Sequence, residues 1–202
     1  MLVKICGVTT AADAALAARA GADAIGVNLW PGSRRHVPVA GAGAVLAAVP
    51  PGVLKVGVFV NAPVDEVAFA MEMLGLDRAQ LHGDERAVDY AALDPGRLVK
   101  VVRVRDQASL GQAEGWNPAL WLYDAHVDGF GGAGVAAPWP VIARGARRPF
   151  LLAGGLTPEN VAAAIRATQP DGVDVASGVE ARPGVKDAAR VAAFVAAVRG
   201  AI

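Results

Sequence analysis

Two glycine-bearing turns near the C-terminus are the residues best suited to hold a phosphate group. Gly154 and Gly155 follow one apolar segment, and Ser177 and Gly178 follow a second one further along the chain. Each turn is expected to lead into a helix, so several backbone N–H groups lack partners and the helix dipole favours an anion. One Gly-Gly turn alone is more often a tight connection. Two such turns in this order predict a phosphate site.

Cys6 ends the first apolar segment and is a candidate base. Strand alternation places Lys4 and Cys6 on one face and Val3 and Ile5 on the other. If the valine and isoleucine face outward, an ammonium lies beneath the thiol and lowers its pKa, which favours the thiolate. A buried lysine needs a partner, and Asp174 is the natural one. The alternative is that Cys6 is a small buried apolar residue.

Asp124 follows the apolar sequence Trp-Leu-Tyr and is a candidate general acid. A carboxyl group at the edge of an apolar strand can be kept protonated by desolvation, which suits proton donation. The alternative is a capping aspartate for the loop that follows. That loop contains a glycine-rich stretch at residues 129–134, which by itself is a weak indication of a lid.

Arg35 and His82 are two further candidates for contact with a substrate. Arg35 lies in a Pro- and Gly-containing loop beside Arg34, and a guanidinium there can bind a carboxylate through two hydrogen bonds. The alternative is a solvated basic loop. His82 is either a catalytic imidazole or a hydrogen-bonded residue at the rim, and the sequence leaves both open.

The composition excludes several classes of protein. The 202 residues carry no net formal charge, so no basic surface for nucleic acid is expected. A single cysteine and three histidines without ligand spacing argue against a metal, and no motif indicates a cofactor. The chain shows no signal-peptide pattern and no apolar run of membrane-spanning length. A cytoplasmic protein without a membrane partner is therefore expected.

Short β-branched segments alternate with alanine-rich segments along the whole chain. The alternation predicts eight strand–helix units and hence an α/β fold, a single (β/α)8 TIM barrel of minimal length formed by residues 1–202. The predicted strands are residues 2–6, 24–29, 54–60, 79–82, 98–104, 120–123, 150–153 and 172–176. The predicted helices are residues 11–20, 39–49, 64–74, 84–93, 107–113, 139–146, 158–167 and 186–198. Thr10 and Thr157 are the expected starts of two helices.

A set of motifs in a fixed order resembles the phosphoribosylanthranilate isomerase family of tryptophan biosynthesis. The matching motifs cover nearly the whole chain: KICGVTT (4–10), GADAIGVN (21–28), GSRRHV (32–37), VGVFVN (56–61), AQLHGDE (79–85), LYDA (122–125), GFGGAG (129–134), LAGGLTPENV (152–161), and GVDVASGVE with PGVKD (172–187). The resemblance implies a cofactor-free Amadori rearrangement of N-(5-phosphoribosyl)anthranilate in a (β/α)8 barrel.

The resemblance also implies roles for individual residues. Cys6 would be the general base at the second ribose carbon, Asp124 the general acid at the ring oxygen, and Arg35 the ligand of the anthranilate carboxylate. His82 and Asp174 would lie close to the sugar. The glycine turns would bind the phosphate through Gly154, Gly155, Ser177 and Gly178.

The sequence departs from the family pattern on the anthranilate side and in the sixth loop. The departures are Ala133, the sequence Ala137-Pro138-Trp139, and Asn28 with Leu29. A neighbouring barrel enzyme, indole-glycerol-phosphate synthase or the histidine-pathway isomerase, is disfavoured because Cys6 and Arg103 stand at the strand ends where those enzymes need other residues. A non-catalytic phosphosugar-binding barrel or scaffold subunit is the remaining alternative. Both a monomer and a homodimer fit the sequence.

Overall fold

Eight parallel strands close into a barrel in the computed structural model, which describes residues 1–126 and 136–201. Each strand pairs with the next in the chain, and the eighth returns to the first. The strands are β1 (Leu2–Cys6), β2 (Ala24–Asn28), β3 (Leu54–Phe59), β4 (Arg78–Leu81), β5 (Leu98–Val104), β6 (Leu120–Ala125), β7 (Phe150–Leu152) and β8 (Gly172–Val175). The predicted (β/α)8 barrel is thereby confirmed.

The outer layer consists of α-helices and short 3₁₀ turns. The α-helices are α1 (Ala11–Arg19), α2 (Val39–Leu46), α3 (Val64–Met73), α4 (Trp139–Gly145), α5 (Val161–Thr168) and α6 (Ala188–Arg199). The 3₁₀ turns are Ala87–Tyr90, Pro95–Arg97, Ala108–Ala113 and Ser177–Val179, and a hairpin of β9 (Glu180–Arg182) and β10 (Val185–Lys186) follows β8. No helix in the described part of the chain is long and apolar enough to cross a bilayer.

Strand alternation divides the core into two layers. Val3 and Ile5 are fully buried in the large apolar cluster between the strands and the helices, whereas Lys4 and Cys6 point into the barrel. A smaller cluster fills the barrel interior around Val101 and Leu122. The inward face of β1 therefore carries the polar groups that the sequence placed there.

Two local predictions have opposite outcomes. Thr10 caps α1 as predicted, since its side chain accepts a hydrogen bond from the Asp13 N–H. The helix predicted at residues 84–93 is wrong: only the 3₁₀ turn Ala87–Tyr90 forms, because Glu85 binds loop N–H groups and Arg86 is extended.

Two further elements differ from the prediction. The helix predicted to begin at residue 158 begins at Val161, because the Asn160 side chain accepts a hydrogen bond from the Thr157 N–H and holds the preceding residues in a turn. The helix predicted at residues 107–113 is a 3₁₀ turn, and the β9–β10 hairpin was not predicted.

Candidate active site

A cleft opens at the carboxyl ends of the barrel strands, where (β/α)8 enzymes place their chemistry. It brings together residues from β1, the loop after β2, the loop after β4, and the ends of β6 and β8. Five of the residues selected from the sequence line it: Cys6, Arg35, His82, Asp124 and Asp174. The four residues of the glycine turns lie outside this lining.

Lys4, Cys6 and Asp174 form a buried cluster on the first and last strands. Lys4 is in register with Asp174, and its Nζ lies 2.8 Å from Asp174 Oδ1, which is the predicted pairing. Gly26 on β2 makes room for the cluster, because a Cβ there would lie 2.9 Å from both Cys6 Sγ and Lys4 Nζ. The thiol and the ammonium are thus held side by side.

Burial and the Lys4 ammonium act on the pKa of Cys6 in opposite directions. Burial raises the pKa of the Cys6 thiol, and the neighbouring Lys4 ammonium offsets only part of that rise. Burial also acts against the charge on Lys4, but the Asp174 carboxylate and the Cys6 thiol outweigh it and raise the pKa of Lys4. The predicted influence of the lysine, a lowering of the thiol pKa, is confirmed, but burial is the larger influence.

Asp124 and His82 face each other across the cleft. Asp124 Oδ1 accepts a hydrogen bond of 2.8 Å from the Ala125 N–H, and Oδ2 lies 3.4 Å from His82 Nε2. The Gln80 side-chain amide lies 3.0 Å from His82 Nδ1. Because that amide nitrogen only donates, Nδ1 accepts, and the neutral imidazole carries its proton on Nε2, toward Asp124.

Arg35 is held by a carboxylate that the sequence reasoning did not select. Its Nε and Nη2 each donate a 2.7 Å hydrogen bond to Glu180 at the start of the β9–β10 hairpin. Gly7, with a φ of +70°, leaves space for the Arg35 side chain, because a Cβ there would lie 2.3 Å from that side chain. Lys186 also binds Glu180, so the carboxylate is shared by two cations.

These contacts explain the pKa directions at this pair. The hydrogen bond to Glu180 raises the pKa of Arg35. Burial acts to raise the pKa of Glu180, but hydrogen bonds and charge from Arg35 and Lys186 outweigh burial and lower it. Arg35 Nη1 makes no hydrogen bond within the described chain, so one edge of the guanidinium stays open.

The two glycine turns pack directly against each other. Gly154 and Gly155 both have positive φ, +85° and +62°. A Cβ on Gly178 would lie 1.9 Å from the carbonyl oxygen of Leu156, so only glycine permits this approach. The Gly155 N–H donates to no acceptor within the described residues, and the Ser177–Val179 turn begins with N–H groups that it cannot satisfy itself.

Gly154 also packs against the strand that carries Asp124. A Cβ on Gly154 would lie 2.6 Å from the Ala125 nitrogen and 3.0 Å from Asp124 Oδ1. The glycine-rich stretch 129–134, with Ala133 and the predicted lid, lies outside the described residues. In the part of the chain that is described, no group of three or more His, Cys, Asp or Glu side chains is arranged to hold a metal.

Gln80 and Glu180 were missed for a physical reason. Both occur in the motifs quoted from the sequence, but their importance depends on contacts that spacing does not reveal. Glu180 meets Arg35 across 145 positions of the chain. Gln80 lies two residues before His82, so strand alternation places both side chains on the same inward face. That spacing is the one signal in the sequence that could have identified Gln80.

A model of the N-(5'-phosphoribosyl)anthranilate isomerase family matches residues 3–197. The chain belongs to this family. The N-(5'-phosphoribosyl)anthranilate isomerase of Azotobacter vinelandii is 45% identical over 202 residues, covering 98% of this chain and 97% of that protein. The crystal structure of the Thermotoga maritima isomerase has 35% identity, a TM-score of 0.90 and 99% coverage of both chains.

Another solved member of the isomerase family is in complex with reduced 1-(o-carboxyphenylamino)-1-deoxyribulose 5-phosphate. It is 33% identical to this chain, with a TM-score of 0.85 and 99% coverage of each. Together these similarities confirm the family inferred from the motifs and the prediction of an isomerase of tryptophan biosynthesis. The scaffold alternative is not favoured, because the curated relatives are themselves isomerases.

Proposed function

We propose that Cys6 and Asp124 are the acid–base pair of the Amadori rearrangement. The observation that carries the proposal is that both line one cleft from β1 and β6, with two strands of the barrel between them. Asp124 donates a proton to the furanose ring oxygen, the bond from that oxygen to the first carbon breaks, and an iminium remains. The Cys6 thiolate then removes the proton from the second carbon.

The proton count of this reaction closes without an external oxidant or reductant. The electron pair left by the proton of the second carbon neutralises the iminium nitrogen and gives an enol-amine. That intermediate loses its enol O–H proton and gains a proton at the first carbon to give the ketone, so substrate and product are isomers. Proton exchange with water then returns Asp124 to the acid and Cys6 to the thiolate. Two groups from separate strands suit this chemistry, because the two protons move at different positions of the sugar. No cofactor is required by the proposed steps.

We further propose that Arg35 binds the anthranilate carboxylate and that His82 and Asp174 contact the sugar. This role is supported by Arg35 Nη1, which has no partner in residues 1–126 and 136–201, and by Glu180, which fixes the other edge and thereby the plane of the guanidinium. The phosphate is assigned to the paired glycine turns, Gly154, Gly155, Ser177 and Gly178. Their mutual contact and the Gly155 N–H, which has no acceptor among the described residues, support that assignment.

Replacement of the two proposed catalytic groups tests the mechanism. Cys6→Ala and Asp124→Asn are each expected to lower kcat by a factor of about 10³, since each removes one proton-transfer group. The assay is the loss of anthranilate fluorescence on turnover. Binding of a reduced product analogue should stay within a few-fold, which separates chemistry from affinity.

Asp84→Asn is the matched control for Asp124→Asn. Asp84 is an exposed aspartate near the barrel mouth that pairs with Arg103. Its replacement should leave kcat within about twofold, because it lies outside the cleft lining. Normal turnover by Cys6→Ala would remove the base from the mechanism, and normal turnover by Asp124→Asn would remove the acid.

The proposed enzyme is a single domain that works in the cytoplasm on a small phosphoribosyl substrate. A phosphorylated intermediate does not cross a bilayer unaided, so its maker and its consumer share one compartment. A Thermotoga maritima relative is described as dimeric, and this chain is proposed to act as a monomer or a homodimer. Light scattering on the purified protein decides between the two.

A further inference from the structure

A buried ion pair lies below the loop that carries His82, outside the cleft lining. Lys100 Nζ is 2.5 Å from Glu85 Oε2, and the two side chains are 3% and 0% exposed. Lys100 also lies over the ring of Trp116, with its Nζ 5.3 Å from the ring centroid. None of the proposed catalytic steps uses this pair. A pair of charges this deeply buried gains little stability over apolar residues of the same size.

Both members of the pair bind the backbone next to His82. Glu85 Oε1 accepts hydrogen bonds from the N–H groups of Gly83, at 2.8 Å, and Asn61, at 3.0 Å. Lys100 Nζ donates to the Gly83 carbonyl at 3.0 Å and lies 3.5 Å from the Leu81 carbonyl. The ion pair therefore holds the peptide groups on both sides of His82.

The neighbouring loop has a conformation that needs such a support. Asn61 has a φ of +50°, in the left-handed region, and its side chain accepts a hydrogen bond from the Asp84 N–H. A Cβ on Gly83 would lie 2.3 Å from Asn61 Oδ1 and 2.8 Å from Glu85 Oε1. The Glu85 carboxylate thus joins the loops after β3 and β4 in one fixed arrangement.

We propose that the Glu85–Lys100 pair is a positioning device for His82, which sets the imidazole Nε2 beside Asp124. The inference rests on the proposed function, because it takes His82 and Asp124 as parts of the working site. Gln80 fixes the tautomer of the ring through Nδ1, and the ion pair holds the peptide groups on both sides of His82. Small displacements of such a group have large effects on rate.

A double-mutant cycle tests the proposal. Glu85→Gln keeps the side-chain shape and an acceptor oxygen but removes the charge. It is expected to lower kcat about tenfold and to change KM by less than about threefold, since the phosphate and carboxylate contacts remain. His82→Gln is expected to lower kcat by a similar factor. In the His82→Gln background, Glu85→Gln should lower kcat by less than about twofold.

Asp89→Asn is the matched control for the charge removal. It breaks the exposed Arg86–Asp89 pair in the same segment and should leave kcat unchanged. If Glu85→Gln lowered kcat by the same factor in the wild-type and in the His82→Gln background, the ion pair would have a general structural role and the proposal would be overturned. An unchanged kcat in Glu85→Gln would also overturn the proposal, provided that thermal unfolding shows the variant to be folded.

A second variant covers the case in which Glu85→Gln does not fold. Glu85→Gln combined with Lys100→Met removes both charges and leaves no unpaired ion. It should fold and still show the loss that depends on His82, and additive losses in it would overturn the proposal. Unchanged kcat in His82→Gln alone would instead contradict the role of His82 in the proposed function, and with it this inference.

Discussion

Lys4 is the residue that most directly controls the proposed base. Burial raises the pKa of Cys6, and the Lys4 ammonium is the largest influence that acts in the opposite direction. The reactive form is the thiolate, so its population at a given pH rises when the thiol pKa falls. With Cys6 as the proposed base, the lysine beside it would increase the active fraction of the enzyme, although it does not reverse the effect of burial.

Lys4→Met is expected to raise the pKa of Cys6 further. The acidic limb of the kcat/KM profile should move to higher pH by about 1 unit, and activity at neutral pH should fall about tenfold. The variant also leaves Asp174 unpaired, so a stability loss of about 3 kcal/mol is expected. The pH profile and the pH dependence of alkylation of Cys6 measure the shift. Lys55→Met, outside the cleft lining, is the control, and an unmoved limb in Lys4→Met would contradict the account.

The loops after β7 and β8 act as one element because their backbones touch. Gly178→Ala would bring a Cβ within 1.9 Å of the Leu156 carbonyl oxygen, so the two turns must separate. We expect a loss of about 1 to 3 kcal/mol in the free energy of unfolding and a rise in KM, because the proposed phosphate ligands move apart. Steady-state kinetics and urea unfolding measure the two effects.

Gly43→Ala in α2 is the matched control for that change. Nothing lies within 4 Å of a Cβ at this helical position, so the substitution should stabilise the protein by about 0.5 to 1 kcal/mol. KM should not change. If Gly178→Ala left both KM and the free energy of unfolding unchanged, the close contact between the turns would contribute neither to stability nor to substrate binding.

Elements with a local signal could be predicted, and elements set by distant contacts could not. The eight strands follow from short apolar segments, and the α1 cap follows from Thr10 and its spacing to Asp13. The segment 84–93 has helical composition, but Glu85 binds loops and Lys100 instead of supporting a helix.

The same distinction applies to the candidate site. Lys4 and Asp174 meet because adjacent strands of a closed barrel share a register, which the strand order already implies. The partner of Arg35 depends on a hairpin that follows the last barrel strand, and no local pattern indicates where Glu180 points. Lys4, Cys6 and Asp174, which lie inside strands, were therefore predictable, whereas Glu180, which orients Arg35 from the hairpin, was not.

The whole molecule depends on the outer layer that covers the barrel strands. Phe194 of α6 is fully buried in the same apolar cluster as Val3 and Ile5 of β1. Phe194→Ala is expected to lower the free energy of unfolding by about 3 to 5 kcal/mol, because it leaves a cavity between the last helix and the barrel. Urea unfolding measures the loss.

Phe69→Ala provides the comparison at the surface. Phe69 is 59% exposed on α3, so the same atoms are removed with little change in burial. Its replacement should change the free energy of unfolding by less than about 0.5 kcal/mol. Equal losses in the free energy of unfolding for the two variants would mean that the burial of Phe194 against the barrel does not account for its contribution to stability.

The ion pair between Lys4 and Asp174 joins the first strand of the barrel to the last. The surroundings of Cys6 are therefore incomplete until the chain has been synthesised through β8 and the ring of strands has closed. Because Cys6 is the only cysteine, the rate of its labelling by a thiol reagent can be used to follow that closure in time. A refolding chain pulsed with reagent would be labelled rapidly while the barrel is open and more slowly once it has closed, because Cys6 is then 8% exposed at the cleft.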